Sequence, residues 1–181
     1  SPPGYRELWF EHDGLPLLVV YVWTPSPYPD GLPPWSDDRF TVRWMTGFMD
    51  DQPNLTDGDG RSLYGYWSWW DRSPQTYAVH GGEPEFMVAS AAYPGTLGWG
   101  SDGTAARLEG ETLKTQFKRV RDIAPKIAFV NSWNEWQPME EVDADWSNDI
   151  EPCETLGHTY PNLLRDEVAL FKRSWRKTTR D

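Results

Sequence analysis

Cysteine is almost absent: Cys153 is the single one in 181 residues. That excludes an internal disulfide framework and a cysteine-based metal cluster. Cys153 itself reads as a partly buried, inert thiol. Long apolar runs are absent too. No stretch reaches the ~18 apolar residues that mark a membrane-spanning helix, and the mean hydropathy is −0.70. Cations are scarce, with 17 Lys and Arg against 28 Asp and Glu and a formal charge of −11. Such a surface repels phosphates, which argues against nucleic acid and anionic membranes as partners. No charged segment followed by a short apolar one opens the sequence, so no uncleaved signal peptide is expected. The Gly-rich stretch Tyr93–Gly100 lacks the Lys-Ser/Thr of a phosphate-cradling loop, so nucleotide binding is not read there. Asp57-Gly-Asp-Gly60 suggests calcium, but Leu55 stands two residues before Asp57 and breaks the EF-hand spacing. No metal site and no cofactor are expected.

What the chain has in excess is tryptophan: 12 Trp beside 8 Tyr and 7 Phe. Packing accounts for some of them. So many indoles in so polar a chain also suggest an aromatic-lined groove.

Five short apolar runs read as strands: Leu15–Trp23, Phe40–Phe48, Leu63–Trp70, Glu85–Ala92 and Lys126–Val130. They are apolar throughout rather than alternating, as strands covered on both faces are. Arg43 inside the second must be paired or face a polar cavity. A proline-rich loop follows the first run and carries Tyr28 and Trp35. Gly110–Asp122 reads as a helix from Leu113, Phe117 and Val120, and Pro125 stops it. Asn162–Trp175 reads as another, with Leu164, Val168, Phe171 and Trp175 in one stripe. With no tight hairpin turn read between the runs, parallel pairing in chain order is expected. The run ending at Asn131 should lie beside the one before Tyr93. In parallel sheets the chemistry gathers at the carboxyl ends of strands. Those ends carry Trp23, Asp50, Trp69, Trp70, Asp71, Tyr93 and Asn131 to Glu135.

The densest of these ends is Asn131-Ser-Trp-Asn-Glu-Trp136. Asn131, Asn134 and Glu135 alternate with Trp133 and Trp136. A carboxylate does proton or charge work, amides bind hydroxyls, and indoles stack on the apolar faces of pyranose rings. The pattern points to a sugar site.

Val130-Asn-Ser-Trp-Asn-Glu-Trp136, then Asp149-Ile-Glu-Pro152, then Gly157-His158 and Tyr160 before a closing helix, resembles the last β/α unit of a barrel group. That group is glycoside hydrolase family 99, the endo-α-mannosidases and mannanases, with its relatives. Gly110-Glu-Thr-Leu-Lys-Thr-Gln-Phe resembles the helix before that unit. The resemblance covers roughly Gly110 to Phe171. It implies an α/β fold, a (β/α)8 TIM-barrel-like one, with this chain supplying about the last five β/α units. It implies no cofactor and a glycosidase acting on a polysaccharide or glycan, with Glu135 at the catalytic centre. The family's second catalytic carboxylate follows three residues later, where this chain has Pro138. Glu140 or Glu141 is then the candidate acid, with Asp149 and Glu151 as further candidates, and Glu151 of Ile-Glu-Pro is carried over as a binding residue. The substrate-binding set is Asn131, Trp133, Asn134, Trp136, Glu151, Trp23, Trp69, Asp71 and Tyr93. The alternatives are a non-catalytic carbohydrate-binding barrel and a glycosyltransferase-associated barrel of surface-polysaccharide assembly. An extracellular or periplasmic setting is favoured. Residues 1–181 read as one domain, the C-terminal portion of a barrel. Five strands do not close a barrel, which takes about 250 residues. An N-terminal segment or a partner chain is therefore expected to complete it.

Overall fold

The apolar run from Leu15 becomes the first long strand, and the computed structural model describes residues 8–25, 27, 35–134 and 144–178 around it. Among these residues the strands are β1 (Glu11–His12), β2 (Leu15–Tyr21), β3 (Thr41–Thr46), β4 (Arg61–Ser62), β5 (Trp67–Ser68), β6 (Tyr77–His80), β7 (Glu83–Ala89) and β8 (Ile127–Val130). Two α-helices accompany them, α1 (Glu111–Ile123) and α2 (Thr159–Thr178). The strands form two four-stranded sheets in the orders β1-β2-β3-β5 and β4-β6-β7-β8. Together they make a curled, half-barrel sheet in a mixed α/β protein.

Parallel pairing holds for β2 with β3, β3 with β5 and β7 with β8. The last pair runs from Phe86 opposite Ile127 to Ala89 opposite Val130, so the Asn131 strand does neighbour the strand preceding Tyr93. Two hairpins correct the expectation of an all-parallel order. β1 pairs antiparallel with β2, and β6 with β7. Their turns are Asp13-Gly14 and Gly81-Gly82, and all four residues have positive φ, from 53° to 86°. That is the backbone of a tight turn matched to strand twist, which Asp-Gly and Gly-Gly adopt readily. The expected run Leu63–Trp70 also shrinks to Trp67–Ser68. Gly65, at φ 72°, turns the chain where the His80 ring leaves no room for a Cβ: its nearest atom would lie at 2.6 Å.

Among the described residues, α-helices follow only β7 and β8. Among the described residues five complete β/α units are therefore not present, and the described strands do not form a closed barrel. Where helices do cover the sheet, alternation sorts the side chains. Phe86, Val88, Ile127 and Phe129 face an inner core with Met45, Trp67, Ala78 and Leu17. Met87, Ala89, Ala128 and Val130 face outward to Leu113, Phe117 and Val120 of α1 and to Leu163, Leu164, Val168 and Phe171 of α2. Phe86–Ala89 of β7 are buried on both faces and Ile127–Val130 of β8 are half-buried on both, which is why these two segments are apolar throughout. Each fully buried Phe or Leu contributes about 1.5–3 kcal/mol of transfer free energy. Trp67 stacks on Phe86 at 4.2 Å and 8°, carrying the inner core from one sheet to the other.

The amino ends of the strands are tied by charge. Glu85, fully buried, accepts from Arg43 Nε at 2.6 Å, Arg43 Nη2 at 2.8 Å and Trp67 Nε1 at 3.1 Å, and lies 2.9 Å from His12 Nε2. Arg43 Nη2 also reaches Asp13 at 2.9 Å. The arginine within β3 is thus paired. Burial by itself would raise the Glu85 carboxyl, but the hydrogen bonds from Arg43 and His12 outweigh it and hold it down at about 2.

Candidate functional site

At the carboxyl end of β8 the chain turns polar at Asn131. Its side chain is buried and bonded at both ends: Nδ2 donates to the Trp69 carbonyl at 3.0 Å, and Oδ1 accepts from Asn148 Nδ2 at 3.3 Å. Asn131 thereby locks the end of β8 to the residues that follow β5. A cis peptide bond joins it to Ser132. Beyond it, Trp133 projects outward, 55% exposed.

The Asp149-Ile-Glu151 stretch, distant in sequence, folds back onto this turn. The amides of Ile150 and Glu151 both donate to the Trp133 carbonyl, at 3.1 and 3.0 Å. The Ser132 hydroxyl meets Asp149 Oδ1 at 3.3 Å. The two halves of the sequence signature are therefore one structural unit. Arg107 braces it from behind. Fully buried, it donates from Nε to the Ser147 carbonyl at 2.6 Å and from Nη2 to the Asp149 carbonyl, and its guanidinium lies 4.6 Å over the Tyr160 ring. Sequence reasoning missed Arg107, Ser132 and Asn148. Nothing local marks them, because their partners are about 40 residues away for Arg107 and 17 for the other two.

A cleft of about 440 Å³ opens here, lined by Trp69, Phe129, Val130, Asn131, Ser132, Trp133 and Asn134. A second, of about 340 Å³, is lined by Tyr21, Trp23, Thr46, Gly47, Phe48, Gln52, Trp69 and Trp70. Of the expected binding residues, Asn131, Trp133, Asn134, Trp69 and Trp23 lie at these clefts. Glu151 is half-buried and joined to Trp133 through its backbone. Glu135, Trp136, Glu140 and Glu141 lie outside the described residues. Trp70, expected among the strand-end residues, also lines the second cleft, whereas Phe48 and Gln52 there were not foreseen, although both follow the end of β3.

Asp71 and Tyr93 line neither cleft. Asp71 is fully buried and accepts from the Met49 amide at 3.0 Å, Ser68 Oγ at 2.5 Å, and Thr76 N and Oγ1 at 2.9 and 2.5 Å. It pins the segment after β3 to the segment after β5. Burial, and then the charge of Asp50, push its carboxyl up to about 7. Tyr93 is buried, with its backbone paired in both directions to Ala105 at 3.0 Å.

Two groupings invite a cation and neither is built for one. His12, Asp13 and Glu85 bring donor atoms within 4.8 Å of one another, but the Arg43 guanidinium bonds both carboxylates and supplies the positive charge itself. Asp57 accepts the amides of Asp59 and Arg61 at 3.0 and 2.8 Å, so this carboxylate caps a turn.

No family model matches the sequence, and no curated protein matches it significantly. A solved structure does: that of the family 99 endo-α-mannosidase from Bacteroides thetaiotaomicron, at TM-score 0.53 and 13% identity over 91% of this chain. The chain spans 57% of the length of that enzyme. At this identity the likeness is one of fold alone, a distant family-99-like architecture.

Proposed function

We propose that the protein is glycoside-hydrolase-like and acts on a polysaccharide or glycan at the end of β8. The observation that carries this reading is the cleft where Asn131, Asn134 and Trp133 meet Trp69, directly before Glu135. Amides and indoles without a lining charge suit pyranose hydroxyls and C–H faces. Glu135 is the central carboxylate, and Glu140 or Glu141 the second. One protonates the departing glycosidic oxygen while the other activates water or attacks the sugar carbon. Trp136 and Glu151 complete the binding surface. Further β strands, on the same chain or a partner, complete the barrel. Val19 and Tyr21 support this: they share the strand face of the inner-core Leu17 yet are 38% and 47% exposed.

Glu135→Gln keeps shape and removes charge. Turnover of a glycan substrate should fall on the order of 10³-fold or more with binding little changed. Unchanged turnover would refute the assignment. A second reading, a barrel that binds carbohydrate without cleaving it, is favoured by Pro138 at the position of the family's second carboxylate. It predicts binding with no released reducing ends in either the native protein or the variant.

A further inference from the structure

Where the segments after β3 and β5 meet, two carboxyl groups face each other. Asp71 is fully buried, and four donors fill its oxygens. Oδ1 accepts from the Met49 amide at 3.0 Å and Ser68 Oγ at 2.5 Å, and Oδ2 from Thr76 N and Oγ1 at 2.9 and 2.5 Å. The Asp50 amide lies 3.4 Å from Asp71 Oδ1, and the Asp50 side chain comes within hydrogen-bond reach of the same carboxyl. Asp50 Oδ2 accepts from Arg72 Nη1 at 2.6 Å. Asp50 Oδ1 is buried and meets no N–H or O–H donor among the described residues. Two ionised carboxylates in contact repel, and a buried oxygen without a donor adds a desolvation cost. One proton between Asp50 Oδ1 and Asp71 removes both penalties. It gives the orphaned oxygen a hydrogen bond and cancels one of the two facing charges.

Arg72 is the cation at the pair, and its donors are divided. Besides Asp50 they serve both oxygens of Asp51, at 2.9 and 3.0 Å, and the Pro94 carbonyl at 3.0 Å. Three carboxyl groups therefore share one guanidinium. From α1, Gln116 Nε2 donates to the Asp71 backbone carbonyl at 3.1 Å, and Arg119 turns to the carbonyls of Gln75 and Asp59 at 2.8 and 2.9 Å. Burial raises both carboxyls above their ordinary 3.8, that of Asp71 to about 7. Between acids in contact, such a value belongs to the pair.

The pair sits under the floor of the second cleft. Asp50 lies in the short turn Met49–Asp51, between Phe48 and Gln52, which both line that cleft. Asp71 directly follows Trp70, and Trp70 stacks on Phe48 at 5.5 Å and 20°. Arg72 lies 4.4 Å over the Phe48 ring. Each acid is thus tethered to one ring of the stacked pair. We infer that Asp50 and Asp71 share a single proton, and that this proton is a switch on the aromatic cleft. While held, it clamps the Met49–Asp51 turn to the end of β5 and keeps Phe48 on Trp70. Its release to water, through the partly exposed Asp50, makes the contact repulsive. The turn then lifts, carrying Phe48 and Gln52 away from Trp70.

Two readouts on the intact protein, each followed against pH, test this. Infrared difference spectra report the carbonyl stretch of a protonated carboxyl. NMR of isotope-labelled methionine methyl groups reports Met49, which is fully buried in the turn itself. As pH rises through about 7, the band should vanish and the Met49 methyl should shift with the same midpoint. Met87, packed against α1, should stay in place. Asp50→Asn should remove both transitions, because its amide donates to Asp71 and leaves no proton to share. Asp51→Asn takes a bond from Arg72 but leaves the pair intact, and should keep both. Absence of the band below neutral pH, or a band unchanged by Asp50→Asn, overturns the shared proton. A band that titrates while the Met49 methyl does not follow overturns the switch. If Asp50→Asn does not fold, the parent still decides: different midpoints for the two readouts refute the inference, and a common one supports it.

Discussion

Replacing Arg107 with Met tests whether the candidate site is held in place from behind. The side chain is fully buried and gives two bonds to backbone carbonyls, those of Ser147 and Asp149. Hydrogen bonds from a charged donor contribute about 1.5–3 kcal/mol each. Loss of both therefore costs about 3–6 kcal/mol if the carbonyls stay buried and unmet. Met is close in volume, so the cavity contribution is small. Against a typical total of roughly 5–15 kcal/mol, that is a large share of the folding free energy. The chain has a cheaper outcome: residues 144–151 can leave the surface and hydrate their carbonyls. The cost then appears as local opening. Urea unfolding measures the global loss, and hydrogen exchange at the Ile150 and Glu151 amides measures the local one, since both donate to the Trp133 carbonyl. Arg107→Lys should recover only part of the loss, because a point charge cannot bridge both carbonyls as the fork does. An Arg107→Met protein within about 1 kcal/mol of the parent, with both amides still protected, would refute the bracing role.

Three other perturbations follow from the same geometry. Glu85→Gln leaves Arg43 buried against a neutral partner and should destabilise the fold by about 3–5 kcal/mol in urea melts. In the parent, the Glu85 contribution is complete above its ordinary 4.5 and lost as pH falls from there toward about 2, so the variant should show a shallower acid transition. Asp71 runs the other way: its carboxyl is raised from 3.8 to about 7, so the stability it lends is full below 3.8 and is lost as pH rises through 7. Asp71→Asn should flatten the pH dependence of Tm between about 4 and 7, and an unaltered slope would count against the raised value. Gly65→Ala adds a Cβ 2.6 Å from the His80 ring at φ 72°. It should cost about 1–3 kcal/mol from the backbone alone, and His80→Ala should relieve the clash but not that part.

Long apolar elements were legible in the sequence and short polar ones were not. The stripe Leu113, Phe117, Val120 placed α1, and the unbroken apolar run Phe86–Ala89 of β7 announced burial on both faces. Glu11-His12 and Arg61-Ser62 are strands of two residues with no hydrophobic period, and tertiary pairing alone makes them strands. The Asp13-Gly14 and Gly81-Gly82 turns were legible in principle, because both dipeptides tolerate positive φ at two consecutive positions. Strand-end reasoning led to Trp23, Trp69, Asn131 and Trp133 and the structure sets them at clefts. It also led to Asp71, which lies beneath, holding the segments that carry the aromatic rings. Position at a strand end does not tell whether a side chain turns up toward solvent or down between segments. That depends on donors such as Thr76 and the Met49 amide, which no local pattern reveals.

The distribution of charge narrows where any hydrolytic chemistry must originate. At the amino ends of the strands, Glu85 and Asp13 are matched by Arg43, with His12 beside Glu85. At the carboxyl ends, Asp50 and Asp51 are held by Arg72, Asp71 is sealed from solvent, and Asp149 is buried beside Ser132. These carboxylates are committed to holding segments together, and freeing any one of them would strand its partners. A carboxylate that protonates a leaving group or attacks a sugar needs a free oxygen facing the cleft. Among the described residues near Trp133, Glu151 alone is an acid that is half-exposed and adjoins the first cleft through its backbone. On the glycosidase reading proposed above, the candidates within this chain are Glu151 and the segment bearing Glu135, Glu140 and Glu141. Kinetics on Glu151→Gln and Glu135→Gln, singly and together, separate the two sources. If each single variant lowers turnover and the double variant falls no further than the worse of them, the two act as one catalytic unit. If Glu151→Gln changes only affinity, Glu151 belongs to binding, and Glu140→Gln and Glu141→Gln are the next variants to test for the second carboxylate.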